Sequence, residues 1–172
     1  MKIKTLLISF LLIGSFTAAT AQDSASVVLD RAFAQAKKEN KKVFIMFHAS
    51  WCGWCKKMEK NMQDPAIKKY FDDNYITAFL TVQESPKNKS LENPGAAELL
   101  SKYKAQNSGI PFWVILDADG NMLENAFNSD GQNLGCPAST EEVAEFTAKL
   151  KKTSKLNDTQ LAAISKVFVI KK

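Results

Sequence analysis

The stretch FHASWCGWCKKME, Phe47 to Glu59, carries two of the three cysteines of the chain, two residues apart and flanked by tryptophans. Three chemistries use such a pair. A structural disulfide is one, but a bond closing so short a loop constrains the unfolded chain very little, because the entropic benefit grows with loop length. A zinc-type site is another, with His48, Cys52, Cys55 and Cys136 as ligands. Structural zinc sites usually show two tight ligand pairs, and this sequence has one. Thiol–disulfide exchange is the third: after one sulfur has formed a mixed disulfide with a partner, the other is close enough to attack it. Spacing favours exchange, with the metal site as its rival.

The pair must be held by elements, and these can be read from pattern. Val43 to His48 is an apolar run of strand formers, the mark of a buried strand inside a sheet. Cys52 and Cys55 follow it, where strand gives way to a helix running to Met62. Cys52 then sits at or near the helix N-terminus and Cys55 one turn inside. Free backbone N–H groups and the partial positive charge at that end favour thiolate over thiol at Cys52, and Lys56 and Lys57 add charge nearby. The expected picture is an exposed nucleophile, Cys52, and a more buried resolving thiol, Cys55.

Leu29, Ala32, Phe33 and Ala36 recur at helical spacing within a helix expected over Ser26 to Asn40. Asp64-Pro65 and Asn93-Pro94 each read as an N-cap with proline at the first helical position, opening helices to Phe71 and to about Lys104. Ser85 to Asn93 reads as loop. Strands are expected over Tyr75 to Val82 and Ile110 to Leu116, the latter entered through Pro111, with Met122 to Phe127 returning as a hairpin partner. Ser139 to Glu142 and Asn157 to Gln160 have the spacing of capping boxes and open two last helices. Strands separated by helices imply an α/β fold, a layered mixed sheet with an antiparallel edge.

The first 21 residues have the pattern of a secretory signal peptide: Lys2 and Lys4, an apolar run from Leu6 to Phe16, then Ala19 and Ala21 as small residues before a cut. The run is about half of what spans a bilayer. The expected domains are a cleaved signal peptide over 1–21, a working domain over 22–150 and a helical C-terminal extension over 151–172. Formal charge is +5, two charges of which belong to Lys2 and Lys4. The lysines are scattered and no basic stripe interleaves with aromatics, so nucleic-acid binding has no support. In an oxidising compartment outside the cytoplasm, a close cysteine pair can persist as a disulfide.

WCGWC after a hydrophobic strand, with Ile110-Pro111 before a later strand, resembles the thioredoxin family, in particular its exported bacterial members. The likeness runs from about Asp23 to Leu150 and takes in AKKENKK, NPGAAEL and GIPFWVILDADG. It implies a thioredoxin fold: a central mixed sheet flanked by helices, here with an extra N-terminal helix and a C-terminal helical tail. It implies Cys52 and Cys55 as catalytic residues, with Trp51, Gly53, Trp54, Ile110 and Pro111 in support. Pro111 would be a cis-proline facing the cysteines, and Ile110 would offer backbone hydrogen bonds to a substrate strand. No cofactor is needed, since the electrons reside on the two sulfurs. Implied partners are protein disulfides or dithiols and an upstream membrane electron donor, for a protein acting as a disulfide reductase; with the signal peptide removed, a soluble monomer in the periplasm is expected, with the extracellular space as the alternative. An oxidase or isomerase, and a redox-inactive chaperone or adaptor, are the alternatives.

The sequence departs from thioredoxin in its Gly53-Trp54 spacer, in Met46 where thioredoxin has a buried Asp, in an insertion around Glu84 to Ala96, and in the tail after Leu150. Without that Asp, Glu59 or water would take the Cys55 proton. Trp51 and Trp54 are expected at the surface, where partner polypeptides would touch them. Phe112 and Trp113 are expected in the core. Cys136, in the loop NLGCPAST, reads either as a free, partly buried thiol or as a third redox or dimerising thiol.

Overall fold

The computed structural model describes residues 22–170; the signal-peptide reading of residues 1–21 lies outside them. Four strands form one mixed sheet: β1 (Lys42–His48), β2 (Tyr75–Thr81), β3 (Phe112–Leu116) and β4 (Met122–Asn125), in the order β2-β1-β3-β4. β1 runs parallel to β2, with Lys42 opposite Tyr75, and antiparallel to β3, with Met46 opposite Trp113. Flanked on both sides, β1 buries Val43 to Phe47 without a break, which is why its sequence is continuously apolar instead of alternating.

Six α-helices cover the sheet: α1 (Ala25–Glu39), α2 (Gly53–Met62), α3 (Lys68–Asn74), α4 (Ala96–Lys102), α5 (Thr140–Thr153) and α6 (Asp158–Phe168). On one face Phe44 stacks on Trp113, which meets Phe146 of α5 edge-on, and Phe146 in turn meets Phe168 of α6. On the other, Phe47 packs against Phe112 and against Tyr103 at the end of α4. The C-terminal helical tail therefore joins the core, and so does the extra N-terminal helix, which buries Ala25, Ala32 and Ala36. The last turn is also tied back by the Ile170 N–H, which donates to the Ala138 carbonyl at 3.0 Å. Both capping boxes form in full, Ser139 with Glu142 and Asn157 with Gln160.

Most elements start or end within two residues of the sequence reading, β3 at Phe112 and β4 at Asn125 among them, and three further differences have a local reason. Asp64 accepts the Ala66 N–H at 2.9 Å and caps only a turn; α3 starts at Lys68 and ends at Asn74. Asn93 caps no helix. Its buried amide is used across the fold, accepting the Thr81 N–H at 2.7 Å and donating to the Asp23 carbonyl at 2.8 Å. α4 starts later, after Gly95 in the left-handed region at φ 85°. Within the segment read as loop, Pro86–Leu91 is a 3-10 helix, a short element with no apolar periodicity to betray it.

Candidate active site

Cys52 is the N-cap of α2 and Cys55 lies in its first turn, the strand-to-helix junction that the apolar run and the helix pattern require. The two are joined by a disulfide with S–S 2.05 Å and Cα atoms 5.3 Å apart. The Cys55 N–H donates to Cys52 Sγ at 3.1 Å. This is one of the unpaired donors at the start of a helix, aimed at the sulfur that would carry negative charge after reduction. Cys55 is fully buried. Cys52 is only 3% exposed, so the expectation of an open nucleophile is corrected in degree. Its sulfur lies 3.6 Å from the Ile110 carbonyl oxygen, and the loop before β3 helps to cover it. Accessible surface belongs instead to the flanking rings: Trp51 is 58% and Trp54 53% exposed. Gly53 has open space around its Cα, with nothing within 4 Å of an added Cβ.

The Ile110–Pro111 peptide bond is cis. Pro111 and Ile110 line a groove of ≈ 470 Å³ with Trp54, Gly135 and Cys136. One residue that pattern reading passed over builds this wall. Asn133 donates from Nδ2 to the carbonyls of Ser108 (3.0 Å), Gly109 (3.1 Å) and Pro111 (3.1 Å), and its Oδ1 accepts the Gly135 N–H at 2.9 Å. It fastens the loop carrying Cys136 to the loop carrying Pro111. Trp113, in the core, reaches the same loop through its Nε1–H, which donates to the Gly135 carbonyl at 3.0 Å.

Cys136 is a free, buried thiol, 7% exposed. Burial pushes its pKa up to about 11; the nearby charges of Lys57 and Glu142 act in opposite senses. His48 is half-buried at the end of β1. Its Nδ1 lies 3.0 Å from Glu59 Oε1 and its Nε2 3.2 Å from the Thr81 hydroxyl, so both ring nitrogens have a hydrogen-bond partner. Among the described residues no group of three or more His, Cys, Asp or Glu is placed to hold a metal ion. Met46, in the place of the thioredoxin Asp, is wholly buried. Two residues before the disulfide, Ser50 donates both its N–H and its hydroxyl to the buried carboxylate of Glu84. No pattern in the sequence marks that contact, which spans 34 positions.

A mixed sheet with a CxxC disulfide at the first turn of a helix, opposite a cis-proline, is a thioredoxin fold with its dithiol site in the oxidised form. The family model described as "Thioredoxin-like" matches residues 24–118, more than half of the chain, and the protein belongs to that family. Among curated proteins, mouse protein disulfide-isomerase A5 is 44% identical over 48 residues, covering 27% of this chain and 9% of the relative. The chain thus matches under a tenth of the length of that relative. Among solved structures, a disulphide isomerase from Xylella fastidiosa Temecula1 superposes with a TM-score of 0.49 and 20% identity, covering 67% of this chain and 80% of the other. A DsbH oxidoreductase gives a TM-score of 0.45 and 22% identity, covering 87% and 95%.

Proposed function

We propose that the protein is an exported thiol–disulfide oxidoreductase that works as a reductase of disulfides in other proteins. The observation that carries this reading is the Cys52–Cys55 disulfide at the start of α2, with a helix N–H on Cys52 Sγ and the Pro111 groove beside it. In the reduced protein the Cys52 thiolate attacks one sulfur of a substrate disulfide. A Cys52–substrate S–S bond forms, and the other substrate sulfur leaves as a thiolate and takes a proton. Cys55, losing its proton to Glu59 or to water, then attacks Cys52 Sγ. The Cys52–Cys55 bond forms, the second substrate sulfur leaves, and two electrons have passed to the substrate. Trp51 and Trp54 offer the exposed contact surface, Gly53 keeps the spacer open, and Ile110 and Pro111 shape the groove.

The resting product of this cycle is the disulfide, so turnover needs an upstream donor, which we assign to a membrane reductase. In this reading Cys136 stands outside the exchange cycle, because burial keeps its thiol protonated at neutral pH. The basic start, short apolar run and Ala19/Ala21 pattern support export to the periplasm with removal of 1–21. That division leaves 22–150 as the working domain and 151–172 as its extension, in a soluble monomer. The test is trapping. Cys52→Ser abolishes reduction of disulfide-bonded test proteins, and Cys55→Ser accumulates mixed disulfides with them. Undiminished reduction by Cys52→Ser would end this mechanism.

A further inference from the structure

Glu84 is 6% exposed, yet it joins no ion pair among the described residues. Its whole carboxylate is spent on one residue: Oε1 accepts the Ser50 N–H at 2.5 Å and Oε2 accepts the Ser50 hydroxyl at 2.8 Å. The preceding residue acts on the next position of the same loop. Gln83, in the left-handed region at φ 55°, accepts the Trp51 Nε1–H on its carbonyl at 2.8 Å. The end of the β2 segment therefore grips both residues that lead into Cys52. Glu84 is held in turn by the insertion, where its N–H donates to Glu92 Oε1 at 2.8 Å and Lys89 Nζ meets the same oxygen at 2.8 Å.

Two effects on Cys52 follow. The clamp fixes the loop that delivers its sulfur to the start of α2. It also fixes a buried carboxylate on the active-site loop, bonded to Ser50, two positions before the sulfur that becomes negative when reduced. Like charges close together in a poorly screened setting oppose each other. The opposing influences are the Cys55 N–H on Sγ and the lysines Lys56 and Lys57 of α2. Glu59, from α2, is engaged by His48 of β1; Glu92 and Lys89 pair with each other on the insertion. Among these groups Glu84 is the carboxylate bound directly to the active-site loop.

We propose that Glu84 is a positioning residue that also sets the redox balance of the site: its carboxylate makes the Cys52 thiolate less favourable, biases the pair toward disulfide and makes the dithiol a stronger reductant. This rests on the exchange reading above. It assigns to Glu84, bonded to Ser50 of the active-site loop, a negative charge that the apolar Met46 does not provide. Stabilising the reduced form of such a pair makes it more oxidising, and destabilising it does the reverse.

The experiment equilibrates the full mature protein with reduced and oxidised glutathione. One oxidised glutathione forms and two reduced molecules are consumed for each protein disulfide opened. Ultraviolet thiolate absorbance follows the ionisation of Cys52. Glu84→Gln keeps the shape and a carbonyl for the Ser50 N–H but removes the charge. The expected result is a glutathione constant roughly three- to tenfold further toward the dithiol, about 15–30 mV less negative, with Cys52 ionising at lower pH. Ser50→Ala, at an exposed position, leaves the charge and takes away one of its donors. It should move the constant and the ionisation the opposite way, and it decides the matter alone if Glu84→Gln does not fold. A Glu84→Gln constant equal to the wild-type one, or shifts of the same sign in both variants, overturns the inference. A wild-type disulfide that never equilibrates with glutathione overturns the exchange reading itself, a separate result.

Discussion

Iodoacetamide offered to the oxidised protein meets one free thiol, Cys136, and its rate of alkylation can be worked out from its surroundings. Burial raises its pKa from 9.0 to about 11. At pH 7.5 a thiol of pKa 9.0 is about 3% thiolate, and one of pKa 11 about 0.03%, so the reactive form is about a hundredfold scarcer. With the residue only 7% exposed, access is slowed further. The assay is mass-spectrometric alkylation of native protein from pH 7 to 11, with the protein unfolded in urea but still disulfide-bonded as its own reference. The native rate should be at least about a hundredfold slower at pH 7.5. It should climb about tenfold per pH unit to near 11, whereas the unfolded rate levels off near 9. A native rate within a few-fold of the unfolded one at neutral pH would refute the reasoning and return Cys136 to the redox site.

Tyr75 is buried with its hydroxyl on Thr153 Oγ1 at 2.8 Å, and burial pushes its pKa from 10.0 to about 12. The phenol ionises later folded than unfolded, so its contribution is intact below pH 10 and is lost as the pH rises from 10 to 12. Tyr75→Phe should flatten the fall in urea-unfolding free energy over that window by about 2–3 kcal/mol; an unchanged slope contradicts it. Phe168→Ala empties a fully buried site beside Phe146 and should cost about 3–5 kcal/mol of stability, whereas a tail merely appended would leave the urea midpoint unmoved. Trp54→Ala should slow reduction of protein disulfides several-fold and leave reduction of a small aromatic disulfide nearly unchanged; equal slowing of both would mean that the ring supports the cysteines and not the substrate.

What could be read in the sequence was whatever a local pattern records. The unbroken apolar run of β1, the helical spacing of Leu29, Ala32, Phe33 and Ala36, and the capping boxes at Ser139 and Asn157 all correspond to elements in the fold. The N-cap and proline pairs at Asp64 and Asn93 did not, because a side chain able to cap a helix is equally able to bond elsewhere. The Asn93 amide serves β2 and the start of the chain, and only tertiary position decides that. The same reason hides Glu84 and Asn133. A buried carboxylate and a three-carbonyl amide clamp look like ordinary polar loop residues until the chain brings Ser50 and Pro111 to them. The WCGWC motif located the disulfide, but not how far the Ile110 loop covers Cys52.

The central claim is that Cys52 and Cys55 pass electrons to other proteins, and the reduction potential of the wild-type pair in glutathione buffers tests it most directly. The account predicts a value near that of thioredoxin, about −270 mV, with the dithiol form dependent on a donor. A value of about −120 to −180 mV would contradict it and make the protein an oxidant or isomerase that accepts electrons from folding chains.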